Sequence, residues 1–321
     1  MSLPDLLRKR LRLPMVGAPM FILSQPELVL AQCKAGIVGA FPSLNARPPE
    51  LLEEWLKRIT TELASWDVSH PDEPSAPFAV NQIVHKSNDR LEHDLALCVK
   101  YKAPIVITSL GAREDVNQAV HSYGGLVFHD VINLVHAHKA IDKGADGLIA
   151  VAAGAGGHAG TLSPFALVQE IRAWWKGPLA LAGAIANGRS VLAAEAMGAD
   201  LAYVGSAFIA TNEANAAAPY KQAVVDGAAA DIVYTNLFTG VHGNYLKASI
   251  TNAGLDPEHL PVSDPSKMNF GGGAAAKAWR DIWGCGQGIG AVHDVRPAAE
   301  VVAEYRRAYD EAKRELLSRT T

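Results

Sequence analysis

With 321 residues and 49% hydrophobic composition, the chain has ample apolar material for one large core. Its formal net charge of −4, from 29 Lys+Arg against 33 Asp+Glu, excludes the basic footprint of a nucleic-acid-binding domain. Three cysteines (Cys33, Cys98 and Cys285), odd in number and far apart, argue against a disulfide framework or a zinc site and fit a reducing cytoplasm.

In chain order, the first segment is a short amphipathic leader carrying Arg8-Lys9-Arg10 and Arg12, read as a solvated face. It lacks an apolar stretch long enough for a signal peptide, and no segment reaches the apolar length of a membrane span. Short apolar runs ending in Gly, Pro or polar residues then recur at 13–18, 36–40, 77–82, 104–109, 125–129, 147–151, 178–182 and 202–205. Helix-like stretches lie between them at 50–64, 90–100, 114–122, 133–143, 163–175 and 189–197. Such alternation predicts a mainly parallel sheet, and unbroken apolar runs such as Ile105-Val106-Ile107 suit strands buried on both faces. Eight units favour a closed (β/α)8 TIM barrel over an open doubly wound sheet.

After Ser206 the regularity fails. Residues 212–290 are rich in Ala, Gly, Asn and Pro and include Phe270-Gly271-Gly272-Gly273. They predict an inserted, mostly helical lid over the mouth of a barrel built from 1–211 and 291–321. A last helix is expected over 296–317, with Val302, Tyr305, Tyr309, Ala312 and Leu316 at three-four spacing. Asp294 suits its N-cap region and Pro297 its first turn.

The segment Gly154-Ala155-Gly156-Gly157-His158-Ala159-Gly160 follows the sixth strand, at the barrel face where enzymes place their sites. Glycines let backbone approach a flat ligand, and His158 is the one side chain there able to exchange protons. By itself the segment is equally a glycine turn with an incidental histidine. It is no dinucleotide fingerprint: Ala159 stands where the third glycine belongs, and the next helix opens only at Ser163-Pro164. Gly183-Ala184 after the seventh strand and Gly205-Ser206 after the eighth form a candidate phosphate cradle of backbone N–H groups. Asn81 ends the third strand and can hydrogen-bond a ring edge, or serve as an ordinary turn residue. Gly17-Ala18-Pro19-Met20 ends the first strand in a small-residue turn on which a flavin ring can stack. No metal-ligand spacing appears; His136 and His138, two apart on a helix, point to different sides. No Gly-x-Ser-x-Gly elbow is present.

These pieces together resemble the nitronate monooxygenase family, formerly 2-nitropropane dioxygenases, over nearly the whole chain. The matching stretches are PMVGAPM, FAVNQIV, GADGLIA…AGGHAG, LALAGAIANGRSV, GADLAYVGSAFIATNEA and WGCGQGIG. The resemblance implies a TIM barrel binding FMN without covalent attachment. Ala18, Pro19 and Met20 would lie against the isoalloxazine and Asn81 at its polar edge. Gly156, Gly157 and His158 would line the substrate side, with His158 as catalytic base. Gly183, Ala184, Gly205 and Ser206 would hold the phosphate, and Gln287 would lie near the flavin. Two departures stand out: Val151 and Gly154 replace a Gln and a Glu common in the family, and Asp130 stands where some quinone-reducing members carry Lys. The implied reaction is oxidation of alkyl nitronates, with nitroalkanes as a further substrate form, by dioxygen to a carbonyl compound and nitrite. The same motifs occur in NAD(P)H-dependent flavin reductases acting on quinones or enoyl thioesters. A flavin-binding module without turnover is the third reading. The partners implied are a small-molecule substrate and dioxygen, with a homodimer left open.

Overall fold

The computed structural model describes residues 3–263 and 281–319. The Phe270-Gly271-Gly272-Gly273 run lies outside them. The leader forms α1 (Asp5–Arg8), whose Leu7 is fully buried in the same cluster as the barrel interior. The leader therefore plugs the N-terminal end of the barrel. Arg8 and Lys9 pair with Asp5 on the surface, whereas Arg10 bonds Asp67 and Arg12 reaches the Pro74 carbonyl. Half of the basic run thus pins the plug in place.

The chain then alternates as expected. It runs through β1 (Met15–Gly17), α2 (Pro26–Lys34), β2 (Val38–Pro42), α3 (Leu51–Ser69), β3 (Phe78–Ile83), α4 (Leu91–Lys100), β4 (Ile105–Ser109) and α5 (Glu114–His121). It continues with β5 (Leu126–Val131), α6 (Leu134–Asp142), β6 (Gly147–Val151), a two-residue strand β7 (Gly157–His158), α7 (Pro164–Arg172), β8 (Leu179–Ala182), α8 (Gly188–Met197) and β9 (Leu201–Val204). Eight of these strands close into a barrel in the order β1-β2-β3-β4-β5-β6-β8-β9. All pairs are parallel, and β9 returns to β1 in the register Met15↔Ala202, Val16↔Tyr203, Gly17↔Val204. Val16, Ala40, Ala79, Ile105, Ile107, Phe128 and Ile149 fill the interior. Helix α2 escapes the spacing rule because its apolar residues run together as Leu28-Val29-Leu30, and it is buried on most sides.

The excursion after β9 contains α9 (Ala218–Asp226) and α10 (Lys247–Asn252). Alongside these helices it holds an antiparallel hairpin of β10 (Ile232–Thr235) and β11 (Gly243–Leu246) that the sequence pattern did not announce. β11 pairs in turn with β7, Gly243↔His158 and Asn244↔Gly157, so the segment carrying His158 belongs to a second sheet.

The chain ends in α11 (Ala298–Ser318). Two details depart from expectation. Asp294 does not cap it: Asp294 pairs with Arg296, while Glu213 Oε2 accepts from the Ala298 N–H at 2.9 Å. Leu316 is 48% exposed, because the last turns run past the barrel. Helix α11 packs closely on α8. A Cβ on Gly188 would lie 1.9 Å from the Tyr305 carbonyl oxygen and 2.3 Å from the Tyr309 nitrogen. Since both obstacles are backbone, Gly188→Ala must push the helices apart. We expect it to lower stability by about 1–3 kcal/mol or more, read as a fall in the urea midpoint at unchanged slope.

Candidate active site

A cavity of about 900 Å³ opens at the C-terminal ends of the barrel strands. Parallel closure is what gathers its polar groups: each strand ends at the same mouth, so residues distant in sequence become neighbours.

Its floor is polar. Asn81 in the C-terminal half of β3, two residues before its end, is buried, and its Nδ2 donates to the Ile107 carbonyl at 3.0 Å and to Ser109 Oγ at 2.8 Å. Both amide hydrogens are thereby used, and Asn81 presents an acceptor, Oδ1, to a ligand. Ser109 passes its own hydrogen to the carboxylate of Asp130 on β5. Burial pushes the Asp130 carboxyl up to about 6, opposed by that hydrogen bond. Tyr203 of β9 stands within reach of the same charge; burial and then Asp130 raise its phenol well above the ordinary range.

One wall carries His158. Its ring Nε2 lies 2.9 Å from Thr239 Oγ1, and burial pushes the imidazole down to about 4. The ring is therefore neutral across the physiological range, not poised near 6.5 as its ordinary value suggests. Asn244 Nδ2 donates to the Ala155 carbonyl at 2.6 Å and the Tyr234 hydroxyl to that of Ala159 at 2.9 Å, holding the glycine-rich segment from both sides.

Beside the start of the glycine-rich segment lies the cradle. Gly183 at φ 140 and Ala184 at φ 52 turn the chain sharply after β8. Among the described residues, the N–H groups of Ala184 and Ile185 find no acceptor. Nor do those of Ser206 and Ala207, which open a short 3-10 turn after β9. The start of α8 is not part of this donor set: Asn187 and Ser190 cap it reciprocally. Gly205 turns its α-hydrogen toward the cavity, where an added Cβ would meet Ala18 Cβ at 3.5 Å and Met20 Cγ at 3.8 Å. Ser206 Oγ accepts from the Gly286 N–H at 2.9 Å, tying the 281–291 segment to the same place.

Ala18, Pro19, Met20, Asn81, Asp130, Gly156, Gly157, His158, Gly183, Ala184, Gly205 and Ser206 all line this one cavity. Gln287 does not: its side chain is exposed behind Gly154, whose carbonyl accepts from the Gln287 N–H at 2.9 Å, while Gly286 and Gly288 reach the cavity. His136 lines the rim and His138 stacks on Trp174 at 3.9 Å, the two sides their spacing implies. Ser109, Tyr203 and Thr239 are polar partners that sequence reasoning passed over. Ser109 ends its predicted strand as Asn81 does, so the strand-end rule finds it once applied to every strand; Thr239 has no such signal. All three thiols are unpaired and buried, and burial pushes each up to about 12. Among the described residues no group of His, Cys, Asp and Glu is placed to hold a metal ion, and no helix is long and apolar enough to cross a membrane.

The family model described as nitronate monooxygenase matches residues 7–306. A nitronate monooxygenase of Paraburkholderia phytofirmans is 27% identical over 336 residues, 92% of this chain and 91% of that protein. One from Neurospora crassa is 27% identical over 342 residues, covering 93% and 88%. Among solved structures, nitroalkane oxidase from Streptomyces ansochromogenes superimposes with a TM-score of 0.80 at 22% identity, covering 97% of this chain and 100% of that one. FabK from Thermotoga maritima does so at 0.76 and 23%, covering 98% and 97%. At such identities the two structures speak for the fold.

The Asp130 carboxyl predicts a pH effect of definite sign. Its folded pKa, about 6, lies above the ordinary 3.8, so unfolding releases a proton and the residue costs stability as pH rises between those values. Asp130→Asn removes the cost. The variant is expected to be more stable than wild type at pH 7.5, with the gap closing toward pH 4. Parallel urea titrations at the two pH values measure it; a gap that widens on acidification contradicts the buried carboxyl.

Proposed function

The chain belongs to the nitronate monooxygenase family of oxidoreductases, and from that premise we propose that it binds FMN and oxidises alkyl nitronates with dioxygen to a carbonyl compound and nitrite. Relatives of this kind are flavin-dependent in general. The single observation that carries the reading is that one cavity is lined both by a cradle of unsatisfied N–H groups and by a half-buried histidine whose ring is held neutral.

The residues fit the cofactor. The N–H groups of Ala184, Ile185, Ser206 and Ala207 suit a phosphate, since converging backbone donors favour anions. Asn81 Oδ1 suits an N–H at the edge of a flavin ring. Ala18, Pro19 and Met20 offer a flat apolar bed, and a cavity of about 900 Å³ leaves room for a substrate beside the ring. Bound there, FMN supplies the electron acceptance for which the chain's own side chains have no counterpart. Gly286 and Gly288, brought in by the 212–290 segment, make that segment part of the substrate chamber.

The protein's own part is proton handling and enclosure. A neutral nitroalkane must lose its α-proton before oxidation, and His158 takes it; a preformed nitronate has no such need. Anaerobic mixing separates this reading from the reductase alternative: a nitronate is expected to bleach the yellow protein, whereas rapid bleaching by NADH or NADPH alone transfers the reading to a reductase.

Two outcomes are expected. The protein carries one FMN per chain, released on heating, and Gly205→Leu abolishes binding while leaving the circular dichroism intact. Gly205 is the clean site because φ is −110 there and the first added atom makes only ordinary contacts. Full occupancy in this variant places the phosphate elsewhere. His158→Asn loses about 10²–10⁴-fold on neutral nitroalkanes in a nitrite assay but keeps most activity on preformed nitronates. With Asp130→Asn as background, removing the floor carboxyl, activity on the neutral substrate shows its acid limb near 4; a rise centred near 6.5 means the His158 ring is not desolvated.

A further inference from the structure

The Thr239 hydroxyl sits among three groups of the loop and wall around it. The Val241 carbonyl oxygen lies at 3.0 Å, the Val241 nitrogen at 3.3 Å and His158 Nε2 at 2.9 Å. A hydroxyl has one hydrogen to give. A carbonyl can only accept, so that hydrogen belongs on the Val241 oxygen; otherwise two oxygens would face each other at 3.0 Å with nothing between. Thr239 Oγ1 therefore accepts from the histidine, and His158 Nε2 carries the proton.

We infer that Thr239 is a positioning residue, holding the His158 imidazole in its Nε2–H form so that Nδ1 is the proton-accepting nitrogen of the ring. For its catalytic consequence the inference rests on the reading of His158 as base; the tautomer itself does not. The backbone around His158 is held independently of Thr239. The β7–β11 pairing fixes Gly157 and His158, Asn244 holds Ala155, and Tyr234 holds Ala159. Thr239 thus acts on the ring and on its own loop at Val241, and the ring tautomer is the readout that separates the two. Because burial keeps the ring neutral, the choice between its two tautomers is a real one at working pH, and a base whose lone pair is on the wrong nitrogen does not work. The device links the insertion to the chemistry: the barrel supplies the histidine, and the excursion decides which of its nitrogens is basic.

The test separates the two claims. In holoenzyme labelled with 15N-histidine, the resonances of His158 are those missing from His158→Asn. They are expected to show the Nε2–H pattern in wild type. Thr239→Val, which keeps the shape and removes the oxygen, is expected to give a mixed or Nδ1–H pattern, and Thr239→Ser to restore the wild-type one. Thr239→Ala carries the same measurement if the valine variant does not fold by circular dichroism. An Nδ1–H wild type, or a tautomer unmoved in the hydroxyl-less variants, overturns the inference whatever the kinetics. In turnover, Thr239→Val is expected to lower kcat on a neutral nitroalkane about tenfold or more with little change in KM, and to affect a preformed nitronate far less. A shifted tautomer with equal losses on both substrate forms supports the positioning and overturns the base.

Discussion

The ladder between β1 and β9 is the constraint on which the rest depends. An open parallel sheet would spread its strand ends along a line. Closure brings the ends of β3, β4, β5, β8 and β9 around one mouth, and the polar floor and the cradle of the cavity stand at such ends. The cradle exists because β8 and β9 are neighbours in the ring; the floor exists because Asn81, Ser109 and Asp130 occupy successive strands. The leader's buried Leu7 belongs to the same arrangement, since a closed barrel has a lower end that must be filled as well as an upper one that is used.

Above its apolar interior the barrel tolerates a polar layer because the layer is organised as a chain of donors and acceptors. Asn81 gives to Ser109 and Ser109 gives to Asp130, so two members of the series are satisfied by the next. The last member holds a carboxyl whose charge is disfavoured by burial. A carboxyl titrating near 6 and an imidazole near 4 invert the usual order of the two groups. That inversion leaves the floor carboxyl, and not the His158 ring, as the one of these two groups whose charge changes near neutral pH.

The insertion does more than cover the mouth. Its hairpin extends β7 into a sheet and fixes the glycine-rich segment at three points. Glycine at 156 is required by the crossing of that segment and the 281–291 stretch, where a Cβ would lie 2.7 Å from the Gly286 nitrogen. Flexibility in sequence thus becomes definite geometry only after two distant pieces of chain have met.

Local regularities made the barrel legible in the sequence. Strand and helix periodicities, and the punctuation between them, act over a few residues, and all eight barrel strands follow from them within a residue or two at each end. Strand-end residues such as Asn81, Gly183 and Gly205 were legible for the same reason: in a parallel barrel, position along the strand already implies position at the mouth. The hairpin, the capping of α11 by Glu213, the outward turn of Gln287 and the partnership of Thr239 with His158 were not. Each joins residues far apart in sequence through a single hydrogen bond or a short ladder, with no repeating pattern to announce it. The same limit holds for proton affinities. Residue type supplies the ordinary values of His158 and Asp130, but their displacement is the work of burial, which exists only once the chain has closed around them.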